Sequence, residues 1–358
     1  MSIADISLPF LSPIDLSAPR RWFSRIWSSD LAMDLGTANT LIYMKGRGII
    51  LNEPSVVAVD EETHKPIAIG HAAKKIFGKT SRSIKCVRPM KDGVIADFEM
   101  TAIMIQTFLK QVTTPWTLQK PRIVIGVPSG ITQVEKRAVI DAATLAGVRQ
   151  VMLVEEPMAA ALGAELPIDK AVGNMIVDIG GGTTEVAVIS MNGTAYSHSI
   201  RVAGDEMDEA IERMLRREHG MQIGIFEAER IKLLIGSALP FGMPRTINTT
   251  GRELTTGIPR QLELNDEEVR QALNEPITAI IASVTAAMEQ TSPEMAHDIM
   301  TRGIHLAGGG ALLKGLDERL YRETGVHFHR TPDPLSCVVR GVGKIVENLR
   351  ELKQLCIA

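Results

Sequence analysis

The chain has 358 residues with 45% hydrophobic content, which is enough for two domains of ordinary size, each with its own core. A net charge of −3 excludes a global attraction to nucleic acid or anionic lipid, so we expect no nucleic-acid partner and only local charge at any membrane contact. Three scattered cysteines exclude a disulfide framework or a zinc site, which predicts a reduced, cytoplasmic protein.

The first 29 residues are predicted to precede the folded body. Residues 1–19 carry three prolines among serines, which is typical of a flexible leader. In residues 20–29, three arginines accompany four apolar side chains at helical spacing: Trp22, Phe23, Ile26 and Trp27. This pattern is typical of an interfacial membrane helix, and equally of a helix packed on the protein's own surface. We predict no signal peptide and no membrane-spanning helix.

A hairpin around Asp34 is the first predicted element of the body. Apolar residues 31–33 and 41–43 predict two strands, and the intervening turn reads Asp-Leu-Gly-Thr-Ala-Asn-Thr. Residues 49–51 and 55–59 predict further strands. The five basic residues within 71–85 are interpreted as a solvated helix and loop.

The next stretch alternates helix and strand signals. Helices are predicted at 100–112 and 132–147, and strands at 121–128 and 151–154, which is typical of an α/β protein. The loop at 113–121 contains Trp116 and Leu118, which could pack on their own domain or meet a membrane. After the last of these strands comes Glu155-Glu156-Pro157, where the proline favours the first turn of a helix.

A second hairpin repeats the first. Residues 178–185 read Asp-Ile-Gly-Gly-Gly-Thr-Thr-Glu and lie between two apolar runs, with Asp178 144 positions after Asp34. Three glycines permit positive φ and close approach of the backbone, so that several N–H groups could bind one phosphate. A glycine-rich turn is also a common structural feature. The repeat favours a duplicated domain with a nucleotide between the halves, and Asp178 could hold the water shell of a metal ion there.

The remainder of the chain supplies a third glycine-rich element. Helices are predicted around Met207 to Leu215, from Ala228 to near Gly236, and from Pro276 to Met288, with a small lobe of turns and short strands at 237–265. Residues 303–313 predict a buried strand that turns through glycines into a helix, where a base or ribose could lie against bare backbone.

These motifs resemble those of a known superfamily. Residues 34–40, 178–185 and 303–313 are similar to the phosphate-1, phosphate-2 and adenosine motifs of the actin and sugar-kinase ATPases, and 155–163 and 336–343 to their connecting helices. The sequence is more similar still to the MreB family of bacterial actins, which several of its segments resemble: 34–60, 88–99, 155–164, 177–190, 228–232 and 306–313.

The resemblance implies an actin-like duplicated α/β fold, with mixed sheets flanked by helices and the nucleotide in the interdomain cleft. Residues 1–29 would be the leader and membrane segment. Domain I would span 30–165 with a small lobe at about 55–90, and domain II would span 166–333 with a small lobe at about 204–260. Residues 334–358 would return to domain I.

The resemblance also implies the site. ATP and Mg²⁺ would be the cofactors, Glu156 and Thr183 would act on the attacking water, and Asp34 and Asp178 would hold Mg²⁺ through water. The implied nucleotide contacts are Gly36, Thr37, Ala38, Asn39, Gly180, Gly181, Gly182, Thr183, Glu229, Arg230, Lys232, Gly308, Gly309, Gly310, Ala311 and Leu312. The first loop has no lysine, unlike conventional actin, so backbone amides and Mg²⁺ would meet the phosphate charge.

The implied function is an ATPase that forms filaments on the inner face of the membrane and guides cell-wall synthesis to maintain rod shape. Its partners would be other copies of itself, membrane adaptor proteins and the cell-wall elongation machinery, with Trp22, Phe23, Ile26, Trp27, Trp116 and Leu118 as membrane contacts. The alternatives are a non-polymerising chaperone-type ATPase domain and a small-molecule kinase. The chaperone would need a substrate-binding domain after the last motif, and the kinase an acceptor pocket.

Overall fold

The computed structural model describes residues 30–113 and 120–357. The strands of the first half are β1 (Leu31–Leu35), β2 (Asn39–Met44), β3 (Gly48–Pro54), β4 (Val57–Asp60), β5 (Pro66–Ile69), β6 (Ile84–Val87), β7 (Met90–Lys91), β8 (Val94–Ile95), β9 (Arg122–Val127) and β10 (Gln150–Glu155). Its helices are α1 (His71–Ile76), α2 (Phe98–Val112), α3 (Gln133–Leu145) and α4 (Glu156–Gly163).

The strands of the second half are β11 (Asn174–Ile179), β12 (Thr184–Ser190), β13 (Gly193–Ile200), β14 (Met221–Gln222), β15 (Thr246–Glu253), β16 (Pro259–Asn265), β17 (Ile304–Ala307) and β18 (Phe328–Arg330). The α-helices are α5 (Gly204–His219), α6 (Ile225–Ile235), α7 (Asp266–Glu289), α8 (Pro293–Arg302), α9 (Leu316–Thr324), α10 (Cys337–Glu347) and α11 (Leu349–Leu352). Short 3₁₀ turns lie at Gly309–Leu312, Pro334–Ser336 and Lys353–Leu355.

The two halves repeat one sheet topology. The strand order is β10-β9-β1-β2-β3 in the first sheet and β13-β12-β11-β17-β18 in the second. Strand β1 is antiparallel to β2 and parallel to β9, and β11 is likewise antiparallel to β12 and parallel to β17. The hairpins of Asp34 and Asp178 therefore occupy equivalent places in two related sheets.

Helices α4 and α10 fill the space between the sheets. Ala159, Ala160 and Ala161 of α4 are fully buried in a core that also contains Val338 and Val342 of α10. Small residues let the helix backbones come close, since an added Cβ at Gly341 would collide with the carbonyl of Ala159. The C-terminal segment also bonds to the first half, where the Tyr43 hydroxyl donates to Glu347 at 3.2 Å.

Each half also carries a small lobe with a three-stranded sheet. The strand orders are β5-β4-β6 in the first lobe and β14-β15-β16 in the second. The two lobes lie on the same side of the molecule, since Phe226 of α6 packs into the small core that surrounds Ala73 of α1. Within the described residues, no helix has the length and apolar character needed to cross a bilayer.

Two element boundaries differ from the sequence-based expectations. Helix α7 begins ten residues before Pro276, because Asn265 and Glu268 cap each other's backbone N–H groups and fix the start of the helix there. Pro276 is then accommodated inside the helix as a buried residue. The glycine turn after β17 leads into a 3₁₀ turn at Gly309–Leu312 rather than directly into an α-helix.

Candidate functional site

A cavity of about 440 Å³ opens between the two halves. The lining includes these residues that the sequence singled out: Asp34, Gly36, Thr37, Ala38, Asn39, Glu156, Asp178, Gly180, Gly181, Gly182, Thr183, Glu229, Lys232, Gly308, Gly309, Gly310 and Leu312. Residues separated by up to 278 positions, from Asp34 to Leu312, thus meet around one space. Its volume falls in the range of ordinary small-molecule sites.

Two of the expected contacts do not reach this cavity. Arg230 turns towards its own lobe, where its guanidinium donates to Glu227 at 2.9 Å and to the carbonyl of Asn248 at 3.1 Å. Ala311 is fully buried in the core of the second half. The expectation that they contact a nucleotide does not fit this geometry, because α6 directs Arg230 outwards and the 3₁₀ turn directs Ala311 inwards.

The two glycine-containing turns face each other closely across the cavity. A Cβ added to Gly181 would lie 2.8 Å from the Cβ of Ala38, and one added to Gly182 would lie 2.7 Å from the hydroxyl of Thr37. None of Gly180, Gly181 and Gly182 has a positive φ, contrary to the expectation from the sequence. Gly181 and Gly182 are required because the facing chain leaves no room for a side chain, whereas a Cβ on Gly180 would meet only the carbonyl of Thr183 in its own turn, at 3.3 Å.

The third glycine-rich turn does use a positive φ. Gly308 has φ +79°, and an added Cβ there would collide with the carbonyl of Ile179. The Gly308 N–H donates to the carbonyl of Pro334 at 2.9 Å. Leu312 and Leu335, which also line the cavity, leave 45% and 49% of their surface exposed. Bare backbone and two exposed leucines form a flat apolar wall suited to an aromatic base.

Four carboxyl groups lie close together: Asp34, Glu156 and Asp178 line the cavity, and Glu185 lies beneath them. Burial raises the pKa of Asp34 to about 7, and burial together with the charges of Asp34 and Glu185 raises that of Asp178 to about 8. Burial, followed by Asp34, Glu185 and Asp178, also raises the pKa of Glu156 well above its ordinary value. In the described residues, none of the four lies against a lysine or arginine that would lower its pKa.

This cluster fits a divalent cation. Oδ1 of Asp178 is buried and has no hydrogen-bond partner among the described residues. An unpaired buried carboxylate is costly, and a cation such as Mg²⁺, which takes oxygen ligands and keeps part of its water shell, would offset that cost. Asp34 and Asp178 hold equivalent positions at the ends of β1 and β11, so they face the same point from opposite halves.

The two glutamates after β10 are separated by the start of α4. Glu156 is the first helical residue and lines the cavity, whereas Glu155 is the N-cap and does not. Gly126 of β9 lies beside this side chain, since a Cβ added there would be in ordinary contact with Cγ of Glu156, at 3.5 Å. Glu156 therefore points at the space between the turns, where a carboxylate can orient a water molecule.

Asp208 is a cavity residue that the sequence reasoning missed. It is 4% exposed and lies 2.8 Å from the ammonium group of Lys232, which also donates to the carbonyl of Gly204 at 2.7 Å. Burial raises the pKa of Asp208 to about 7, although Lys232 lowers it. The sequence feature that could have identified Asp208 is its position on the inner face of α5, beside the buried Met207.

Contacts between the small lobes cover the outer edge of the cavity. Arg88 donates to both carboxylate oxygens of Asp205, at 2.9 and 2.8 Å, and Lys74 lies 2.6 Å from Glu229. The rings of Phe77 and Phe226 meet edge to face with centroids 5.0 Å apart. Lys74 was expected to be solvated but forms an ion pair across the cleft. The other four basic residues of the segment are exposed, as expected: Lys75, Lys79, Arg82 and Lys85.

Comparison with known proteins identifies the family. The family model described as MreB/Mbl protein matches residues 28–354. The cell shape-determining protein MreB of Escherichia coli K12 is 53% identical over 330 residues, covering 91% of this chain and 95% of that protein. The Mbl protein of Bacillus subtilis is 42% identical over 327 residues, covering 91% and 98%.

A solved structure agrees in fold. MreB5 of Spiroplasma citri bound to ADP has a TM-score of 0.86 and 35% identity, over 91% of this chain and 98% of that one. The fold is therefore that of the actin-like, nucleotide-binding proteins, which confirms the predicted fold class. The chain belongs to the MreB/Mbl family. This membership confirms the predicted family and favours a bacterial actin over a chaperone-type ATPase or a small-molecule kinase.

The expected membrane contacts cannot be located in the structure. Trp22, Phe23, Ile26, Trp27, Trp116 and Leu118 all lie outside the described residues. They remain predictions from the sequence.

Proposed function

We propose that this protein is a bacterial actin that binds and hydrolyses ATP, assembles into filaments and maintains rod shape by guiding cell-wall synthesis. The observation that carries the proposal is the cavity in which two opposed glycine turns meet a cluster of buried carboxyl groups. The relative MreB5 of Spiroplasma citri, whose structure contains ADP, supports nucleotide binding in this cavity. The similarity to cell shape-determining proteins supports the cellular role.

The two turns would hold the phosphates. The cavity is lined from opposite sides by Gly36 to Asn39 and by Gly180 to Thr183. Backbone N–H groups of these turns would bind phosphate oxygens without adding charge, except that of Gly180, which donates to the Thr183 carbonyl at 2.9 Å. Asp34 and Asp178 would hold Mg²⁺ through water. When bound, this ion neutralises charge on the β- and γ-phosphates.

Hydrolysis needs a water molecule in line with the bond to the γ-phosphate. Glu156 would accept a hydrogen bond from that water, and the Thr183 hydroxyl would fix it from the second half. Burial and the neighbouring carboxyl groups raise the pKa of Glu156. The charge of a bound Mg²⁺ would oppose this effect and favour the ionised form. The nucleoside would lie between Glu229 and Lys232 on one side and Gly308, Gly309, Gly310 and Leu312 on the other.

We also propose the division into domains that the sequence suggested, with residues 30–165 as domain I, 166–333 as domain II and 334–358 returning to domain I. The two five-stranded sheets and the packing of α10 against α4 support it. The small lobes at about 55–90 and 204–260 each contribute to a three-stranded sheet.

The proposed location is the inner face of the cell membrane. The amphipathic segment at 20–29 and the loop containing Trp116 and Leu118 would contact lipid, and both belong to the part of the chain outside the described residues. Self-assembly, membrane adaptor proteins and the cell-wall elongation machinery are the proposed partners.

The test is a comparison of wild type with Glu156→Ala. We expect the variant to bind ATP with near-normal affinity and to pellet as filaments, while phosphate release falls by about 10²-fold or more, because a positioned carboxylate contributes about 10²–10⁴-fold. Glu155→Ala is the matched control and should hydrolyse ATP normally. Wild-type phosphate release by Glu156→Ala would contradict the assignment, and absence of ATP-dependent pelleting in the wild type would contradict the filament proposal.

A further inference from the structure

The duplicated hairpins differ at one buried position. Residues directly opposite each other on paired strands point to the same face of the sheet. Asp34 is paired in this way with Leu41, and Asp178 with Glu185. In the first half this position is occupied by an apolar residue, Leu41, with 6% of its surface exposed. The fold therefore does not require a charged residue there. The second half instead buries a carboxyl group directly beside Asp178, which destabilises the pair unless the carboxylate has other partners.

Both oxygens of Glu185 are hydrogen-bonded. Oε2 accepts from the backbone N–H of Ser129 at 3.0 Å, and Oε1 accepts from the hydroxyl of Ser199 at 2.5 Å. Ser199 is the partner of Glu185 on β13, in the same sheet. Ser129 follows β9 and belongs to the other half of the molecule. With 1% of its surface exposed, Glu185 forms a buried hydrogen bond between the halves beneath the cavity.

This bond lies next to the groups that would act on water. Glu185 is two residues after Thr183 in the sequence, and its charge contributes to the raised pKa of Glu156. Glu156 belongs to the first half and Thr183 to the second, so their separation depends on how the halves are held together. A charge-assisted hydrogen bond in a dry setting is a strong and directional link.

We propose that Glu185 is a positioning residue: by binding the Ser129 N–H, it fixes the phosphate-binding hairpin of the second half against the half that carries Glu156. The inference rests on the proposed ATP hydrolysis. Loss of this link should affect catalysis more than binding. Nucleotide contacts are spread over both hairpins and α6, whereas a displacement of about 1 Å between catalytic groups can lower a rate about 10²-fold.

Three variants test the proposal. Glu185→Leu copies the residue of the first half and removes the link without adding a polar group. Glu185→Gln keeps one oxygen that can accept from Ser129, while its amide can donate to Ser199. Ser199→Ala removes the bond within the second half and leaves the link between the halves, so it is the matched control.

We expect kcat for ATP hydrolysis to fall about 10- to 100-fold in Glu185→Leu, with the Kd for Mg-ATP within about threefold of wild type. Glu185→Gln should stay within about tenfold, and Ser199→Ala within about threefold. Hydrogen exchange gives a readout independent of activity: the Ser129 amide should exchange faster in Glu185→Leu, while amides of the core strands stay protected.

Several outcomes would overturn the proposal. Wild-type kcat in Glu185→Leu would show that the link is not needed. Equal losses in Glu185→Leu and Ser199→Ala would indicate local packing instead. If the leucine variant fails to fold, a complete loss of kcat in a folded Glu185→Gln would assign the role to charge and reject positioning. An inactive wild type would contradict the proposed ATPase instead, whereas unchanged Ser129 exchange in Glu185→Leu would contradict this link alone.

Discussion

The raised pKa values of Asp34 and Asp178 make the stability of the ligand-free protein depend on pH. A buried carboxyl group whose pKa rises from 3.8 to about 7 or 8 keeps its proton at pH values where the unfolded chain has lost it. Between about pH 4 and pH 8 the ligand-free folded state therefore binds more protons than the unfolded state. Stability falls with rising pH across that window.

The first expectation is thus a decline of thermal stability of the ligand-free protein from pH 5 to pH 8. One pKa unit corresponds to about 1.4 kcal/mol, so each group contributes up to about that amount per pH unit. Asp178→Asn should flatten the decline, since the amide does not titrate. Melting curves at stepped pH measure this, with Asp141→Asn, an exposed helix residue, as control. An unchanged pH slope in Asp178→Asn would contradict it.

At this scale the sequence identified some residues and missed others for a physical reason. Asp34, Asp178 and Glu156 stand in short motifs whose local turn or helix start explains their position. Glu185 and Asp208 gain their roles from partners far along the chain, at Ser129 and Lys232. The local signal is only a charge beside apolar residues, Val186 for Glu185 and Met207 for Asp208, and such a charge identifies no partner.

Among the elements, the glycine turns show the clearest gap between pattern and geometry. The sequence indicated that Gly180, Gly181 and Gly182 form a hairpin turn, and explained them by positive φ and by close approach of the backbone to a ligand. None of them has a positive φ, and the structure requires Gly181 and Gly182 because Ala38 and Thr37 of the first hairpin lie against them. A requirement set by a second turn 144 residues away cannot be seen in one turn alone.

Gly181→Val should therefore hinder closure of the two turns on phosphate. Overpacking costs about 1–3 kcal/mol, which corresponds to an affinity for ATP about 5- to 150-fold lower if the cavity must open to relieve it. Isothermal titration beside a circular dichroism melt is the measurement. Gly193→Val is the control, because a Cβ there would meet only the carbonyl of Ser190, at an ordinary contact distance of 3.6 Å. ATP binding at wild-type strength in a folded Gly181→Val would remove the phosphate role from this turn.

Helix boundaries follow the same logic. The strands around both hairpins and the N-cap at Thr132 could be predicted, because each depends on adjacent residues. The start of α7 was predicted ten residues too late, because Pro276 suggests a boundary, although the local capping box of Asn265 and Glu268 begins the helix. A buried position in a long, well-capped helix tolerates a proline that would end a weaker one.

For the whole molecule, the duplication was readable from the sequence because the hairpins repeat in order and spacing. The packing between the halves was not, since α4 and α10 meet through small residues whose closeness has no sequence period. The proposed membrane attachment also belongs to this scale, since a short segment would bind weakly by itself and many copies on one filament would bind together.

Deleting residues 1–28 should release filaments from liposomes without stopping ATP hydrolysis. Each arginine near an anionic surface contributes about 1 kcal/mol, so binding should be stronger on anionic than on neutral lipid and should weaken with salt. Co-sedimentation with ATP measures this, and Trp22→Ser with Trp27→Ser tests the apolar part. Equal binding by the truncated protein would assign attachment to the loop containing Trp116.

The contacts over the cleft have a kinetic consequence. Arg88–Asp205, Lys74–Glu229 and Phe77–Phe226 join the small lobes in the ligand-free protein. Bonds present both before and after a nucleotide binds add little to its affinity, because they cancel between the two states. If a nucleotide enters and leaves between the lobes, these contacts would have to separate each time, which would lower both rates together. The residence time of the nucleotide would then be set independently of its affinity.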